Sequence, residues 1–424
     1  MSLIILNTFI SYIIMKQIFN FLNRHSKTEG AKKTFVLGMG SGISQLITIL
    51  SSLVITLYYG PDEVGQYSII IIMVALLSLL YTLRIDSLIL IAATTKEASD
   101  IYHAANKLSA FISIASFLVI VILKYLTPID VKPIFLLIPF LTYVFTIYNS
   151  DRELCLRNGE FKTEAVSNIV RSISLLLLQI LFSFVAPVAG SLAIAKGFSD
   201  KISSLWISKK LKTGIFPVWD ASLEPFKNYK NEYIPLLKTR FLQNLSNNSI
   251  FLYWSYFFDL TSLGLFHFAF KVVQLPSILI GDTIYRVFEE HFTSKGLDAS
   301  HTKRRGFKVI AFVSVCALII YGLILLLIDF LVANLFPAQW QESAAYIKII
   351  GLTIVPVALS PVLISIFKIQ KRSATFTNIE IIESFIKNIC VVIVGFNGTP
   401  TSAILAYSLV SLVFGVIKVV FALK

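Results

Sequence analysis

The chain has 424 residues, of which 56% are hydrophobic and only 14% charged, and its mean hydropathy is +0.78; a water-soluble fold of that length has no means of covering so much apolar surface. The formal charge of +13 does not point to nucleic acid, because the basic residues punctuate long apolar runs and do not gather on one polar domain. Cys155, Cys316 and Cys390 stand too far apart for a disulfide framework or a CxxC metal site, and the histidines show no HxxxH or HxxEH pattern, so no metal chemistry is expected.

The first residues are apolar enough to insert but carry Asn7, Lys16 and Asn20, and no small-residue cleavage site follows. They read as an interfacial helix or unordered leader within an N-terminal segment 1–33. From there on, stretches of the roughly 20 apolar residues that a helix needs to cross a bilayer recur. They predict spans at 34–57, 65–94, 104–127, 133–154, 162–184 and 188–208, forming a first lobe over 34–210. Six more follow at 233–258, 262–288, 307–331, 343–367, 374–395 and 401–423, forming a second lobe over 233–424. The connector, 211–232, carries Trp219, Phe226, Tyr229 and several lysines, a composition suited to an amphipathic segment on the inner leaflet.

Lys and Arg in short connections mark the cytoplasmic side. They cluster at Lys27, Lys32 and Lys33, at Arg152, Arg157 and Lys162, at Lys209, Lys210 and Lys212, at Lys303, Arg304, Arg305 and Lys308, and at Lys368, Lys371 and Arg372. The alternate connections are nearly free of cations, with Lys124 and Lys132 as exceptions. Both termini are therefore expected in the cytoplasm.

An internal repeat is also legible. Tyr58-Tyr59, Gly65 and Tyr67 reappear as Phe257-Phe258, Gly264 and Phe266, displaced by 199 positions, and the same shift lays Gln45 on Asn244. Six spans per half is an even number, so the halves keep one orientation and are related by a pseudo-two-fold axis along the membrane normal. The expected fold class is an all-α polytopic membrane protein with about a dozen transmembrane helices in two six-helix lobes facing each other.

A charge near the bilayer centre costs about 2.5–3.5 kcal/mol on insertion scales, so each one found there calls for a partner, water or a ligand. The second span carries Arg84 and Asp86, the fifth Arg171, the sixth Lys196, Asp200 and Lys201, the eighth Lys271 and Asp282, and the eleventh Glu380, Glu383 and Lys387. Lys196 with Asp200, and Glu383 with Lys387, are four apart and suit internal ion pairs. Arg84 and Arg171 have no opposite charge at helical spacing in their own spans, which favours a place facing the space between the lobes. Polar stripes through Ser41, Gln45, Thr48 and Ser52, and through Gln243, Asn244 and Asn247, suit either helix contacts or a wet cavity. A cationic space of this kind attracts phosphate-bearing or acidic ligands.

Five stretches carry a resemblance. They are Tyr58-Tyr59-Gly-Pro-Asp-Glu-Val-Gly-Gln-Tyr67, Leu83-Arg-Ile-Asp86, Leu156-Arg-Asn-Gly-Glu-Phe161, the segment 263–288 with Pro276, and Leu335-Phe-Pro-Ala-Gln-Trp340. Together they resemble the polysaccharide-exporter branch of the multidrug/oligosaccharidyl-lipid/polysaccharide (MOP) superfamily, and within it the Wzx-type O-antigen flippases. The chain departs from the family at Ile85 and Asp86, where an aromatic and a glutamate are usual, and at Pro337, where a glycine is usual. The resemblance implies a MATE-like, twelve-helix, two-lobed fold in the bacterial inner membrane that carries an undecaprenyl-diphosphate-linked oligosaccharide to the outer leaflet without covalent chemistry. Arg84, Asp86, Arg171, Lys196, Lys271, Lys387, Gln45 and Asn244 are the substrate-binding candidates it suggests. Asp86, Asp282 and Glu380 are the acidic candidates for coupling to a proton or sodium ion, and no other cofactor is expected. Membrane lipids and other polysaccharide-assembly proteins are the further partners implied. The competing readings are a drug exporter of the same superfamily, which calls for an acidic cavity, and a membrane-embedded polysaccharide polymerase, which calls for larger outward loops than these.

Overall fold

The computed structural model describes residues 29–127, 132–211, 230–274 and 299–423, and these are almost entirely helical. In chain order, α1 is Glu29–Tyr58, α2 Pro61–Thr82, α3 Thr95–Leu126, α4 Leu137–Arg157, α5 Phe161–Val185 and α6 Ala189–Leu211. The second half holds α7 Lys230–Phe257, a helix α8 described over 260–274, α9 Ala299–Leu335, α10 Ser343–Ile350, α11 Ile354–Ile369, α12 Ser373–Asn397 and α13 Pro400–Leu423. Among the described residues, eight segments are long and apolar enough to cross a membrane. Helices α6, α7 and α12 are not among them, because these carry the charged and amide side chains discussed below.

Local sequence explains the helix starts. Pro61 occupies the first turn of α2, where its missing N–H costs nothing, and Asp62 and Glu63 complement the positive helix end. Helix α3 opens with a reciprocal cap: Glu97 N donates to Thr94 Oγ1 at 3.1 Å and Ala93 N donates to Glu97 Oε2 at 2.9 Å. Apolar side chains at helical spacing, such as Met39, Ile43, Leu46, Leu50, Leu53 and Leu57 on α1, lie exposed. They form a lipid-facing stripe, while the polar residues of these helices turn inward.

The same packing pattern recurs in each half. In the first, α1 packs on α5, α5 on α6, α4 on α6 and α3 on α4; in the second, α7 packs on α12, α12 on α13, α11 on α13 and α9 on α11. The lobes meet through α2 against α7 and through the starts of α2 and α8. A Cβ added at Gly65 would run into the carbonyl of Leu260, and one added at Gly264 into that of Pro61. Thr261 Oγ1 donates to Asp62. Each partner stands 199 positions from its counterpart, so the contact is its own mirror under the repeat, as a pseudo-two-fold axis requires. Trp340, fully buried, donates from Nε1 to Tyr59 O at 3.1 Å, tying two of the recognised motifs together at this end of the bundle.

Several predicted boundaries are corrected. The second span, expected unbroken over 65–94, stops at Thr82; Leu83 and Arg84 take positive φ of 46° and 59°, and a 3-10 turn Ile85–Leu90 follows. The third helix begins at Thr95, not 104. The tenth span is divided into α10 and α11 by the turn Gly351–Thr353. The first helix starts at Glu29, inside the segment read as a leader. The rest of that leader, most of the connector and Asp282 lie outside the described residues.

Candidate functional site

Two charged clusters lie in equivalent places, each between the fifth and sixth helices of its lobe. In the first lobe Asp200 on α6 accepts from Arg171 Nε of α5 at 2.5 Å and from Lys196 Nζ at 2.5 Å. Arg171 lies over the ring of Tyr148 at 4.7 Å and Lys196 over that of Phe145 at 5.6 Å. Tyr148 in turn donates to Asn168 Oδ1 at 2.9 Å, Asn168 Nδ2 donates to Glu164 Oε1 at 2.9 Å, and Glu164 takes Arg152 at 2.7 Å. These hydrogen bonds hold the aromatic ring that supports Arg171.

In the second lobe Glu383 on α12 takes Lys387 at 2.5 Å and Lys418 of α13 at 2.7 Å. Glu380 stands 3.5 Å from Lys418 and accepts from Gln243 Nε2 of α7 at 2.7 Å. Lys387 lies over the Tyr407 ring at 4.7 Å and Lys418 over Phe376 at 5.2 Å. The pairs anticipated from their spacing, Lys196 with Asp200 and Glu383 with Lys387, both form. Lys418 was not singled out from the sequence, although the rule that flagged the other charges in apolar spans applies to it equally.

Arg171 and Arg84, which have no opposite charge at helical spacing in their own spans, are both paired by other means. Arg171 finds Asp200 across the helix pair. Arg84 reaches Asp86 at 3.5 Å, an approach that the backbone break permits, and Asp86 also accepts from Thr82 Oγ1 at 3.0 Å. This pair sits by Glu153, whose carboxyl feels both of its charges.

Lys271, on α8, has no acidic partner among the described residues. Its charge acts on Lys196 of the first lobe and on His267 one turn before it. The stripe on α1 is partly satisfied within its own helix, and its neighbours Ser44 and Ser51 make the helix contacts. Thr48 and Ser52 hydroxyls bond carbonyls of their own helix. Contacts between α1 and α5 are made by Ser44 to Asn168 O at 3.1 Å and by Ser51 to Gln179. Gln45 Oε1 is buried without a partner on the described chain, and Asn244 Oδ1 accepts from Asn248 at 2.7 Å.

This two-lobed, all-helical arrangement is the membrane fold of the MOP superfamily. It is similar to the lipid II flippase MurJ in an inward closed conformation, with a TM-score of 0.71 and 12% identity over 92% of this chain and 87% of that one. It is also similar to an inward-facing multidrug resistance MATE transporter, with a TM-score of 0.69 and 12% identity over 89% and 93% of the two chains. A MOP superfamily transporter from Pyrococcus furiosus, described as having a binding pocket of reverse polarity, matches with a TM-score of 0.64 and 13% identity over 92% and 94%. No curated protein matches the sequence. A family model described as polysaccharide biosynthesis protein matches residues 54–345, and the chain belongs to that family. It is a multi-pass membrane protein.

Proposed function

We propose that the chain is a flippase that moves an undecaprenyl-diphosphate-linked oligosaccharide from the cytoplasmic to the periplasmic leaflet of a bacterial inner membrane. The observation that carries this reading is the uncompensated charge between the lobes. Among the described residues, Arg171 and Lys196 share a single carboxylate, Asp200, and the charge of Lys271 acts on Lys196 from the other lobe. An anion bridging Lys196 and Lys271 supplies the missing negative charge and contacts both lobes at once, so its binding and release are linked to their relative movement. Family membership and fold support the same reading. Arg84, whose guanidinium is partly exposed, is a second contact for the diphosphate or for acidic sugars. The positive-inside pattern supports cytoplasmic termini.

Deletion of the gene is expected to leave lipid-linked oligosaccharide on the inner leaflet and to remove surface glycan, with rescue by the intact chain. Rescue is expected to fail for Arg171→Ala and Lys271→Ala while both variants still reach the membrane. Full surface glycan with both variants overturns the binding assignment, and normal glycan with altered drug sensitivity in the deletion strain overturns the flippase reading. Reporters fused after Lys212 and Lys424 are expected to read cytoplasmic, and a split result rejects the topology.

A further inference from the structure

Five carboxylates are buried among the described residues: Asp86, Asp151, Glu164, Asp200 and Glu383. Four of them meet a cation within ion-pair distance on the chain itself: Asp86 meets Arg84, Glu164 meets Arg152, Asp200 meets Arg171 and Lys196, and Glu383 meets Lys387 and Lys418. Asp151 on α4, only 1% exposed, meets none among the described residues. Its partners are hydroxyls: Tyr102 of α3 donates to Oδ1 at 2.7 Å and Ser204 of α6 donates to Oδ2 at 2.5 Å. An ionised carboxylate at this depth with only neutral partners is far costlier than the four paired ones.

The surroundings hold further oxygen. The seam between α3 and α4 is polar along its length, with Tyr102 bonded to Asp151, Ser109 to Thr146 at 2.5 Å and Ser113 to Pro139 O at 3.0 Å. Asn106 lies between Tyr102 and Ser109 at helical spacing, so it faces α4 at the level just above Asp151. It is 4% exposed and its Oδ1 has no partner on the described chain; Ser150, beside Asp151 and fully buried, has an unpartnered Oγ. A carboxylate without a counter-charge and two orphaned oxygens in one seam have a shared remedy. A bound monovalent cation satisfies them together, and a proton on Asp151 removes the buried charge and donates to one of these oxygens.

We propose that Asp151, with Tyr102, Ser204, Asn106 and Ser150 around it, is a site for a monovalent cation, either a proton or a sodium ion, inside the first lobe. The donor set is entirely oxygen, which suits both. The other titratable groups near it are Lys201 on α6, whose charge acts on Asp151 from beyond ion-pair distance, Cys155 one turn along α4, and His103 on α3, whose ring lies against that of Tyr102. Ser204 stands one turn after Asp200 on the same face of α6, so occupation of this site bears on the helix that holds the Arg171 and Lys196 cluster. The coupling acids expected from the sequence were Asp86, Asp282 and Glu380; this site uses none of them.

The test uses the purified full-length protein in lipid nanodiscs, with no lipid-linked substrate present. Its melting temperature is followed against sodium chloride, with choline chloride holding ionic strength, and separately against pH in choline chloride. A sodium site gives a rise in melting temperature with sodium that choline does not reproduce. A proton site gives no sodium response and a rise on acidification, because a folded state that needs the neutral carboxyl gains stability as pH falls. In either case Asp151→Asn is expected to abolish the response. Ser204→Ala, which keeps the carboxylate, is expected to shift its midpoint by about threefold or more in ion concentration. A wild-type protein that shows neither response overturns the proposal, as does a response that Asp151→Asn retains. Should Asp151→Asn fail to accumulate, an unshifted midpoint in Ser204→Ala overturns it.

Discussion

The two charged clusters share a plan and differ in one carboxylate. Each sets an acid between two cations and lays a tyrosine ring under one of them. The second lobe adds Glu380, so Glu380 and Glu383 balance Lys387 and Lys418 within the lobe. Among the described residues the first lobe sets only Asp200 against Arg171 and Lys196, and the charge of Lys271 adds to theirs from the other lobe. Excess basic charge in the sequence therefore says little about where a ligand binds until partners are counted. One cluster is a closed ion-pair network that holds helices together, and the other keeps a positive surplus that an anion can meet.

Substitutions can break that distinction. Glu383→Ala leaves Lys387 without its ion-pair partner and Lys418 with Glu380 alone, and is expected to cost about 3–5 kcal/mol, read as a steep loss of melting temperature and of protein in the membrane. Lys271→Ala is expected to leave both unchanged while lowering flipping about tenfold or more, about 1.4 kcal/mol or greater in binding; Lys271→Arg is expected to keep most of the activity. Should Lys271→Ala lose as much protein as Glu383→Ala, the contrast between the lobes fails. Gly65→Leu places a side chain where the Leu260 carbonyl sits and is expected to force that end of the lobes apart, at about 1–3 kcal/mol. The matching readout is disulfide yield between Asp62→Cys and Thr261→Cys, high in the parent background and low with Gly65→Leu. At the small end, Lys348→Ala removes an exposed pair with Asp329, 36% and 67% exposed, and is expected to change stability by less than about 1 kcal/mol.

Much of this architecture was readable before any coordinates. Apolar run length located the helices, and the displacement of 199 positions located the residues that meet on the axis. Pairs on one helix face were readable because spacing of four fixes their proximity. Arg171 with Asp200, 29 positions apart, was not, because pairing across helices depends on packing that periodicity does not encode. The break after Thr82 carries neither glycine nor proline, so nothing local announces two left-handed residues at Leu83 and Arg84. Asp151 is hard to single out from the sequence because Arg152 beside it reads as one of the cations that mark the cytoplasmic end of the fourth span, whereas in the fold Arg152 turns to Glu164.

The glycine contact also bears on ancestry. Two surfaces related by 199 positions that each press a glycine against the other's backbone are what a symmetric dimer of six-helix chains would present, and such an interface joins identical copies without any connector. Fusion of two duplicated copies preserves it, and later divergence is then free to neutralise one cluster and leave the other charged. A chain cut within 211–232 and produced as two pieces retains that interface, and the halves are expected to find each other in the membrane and co-purify.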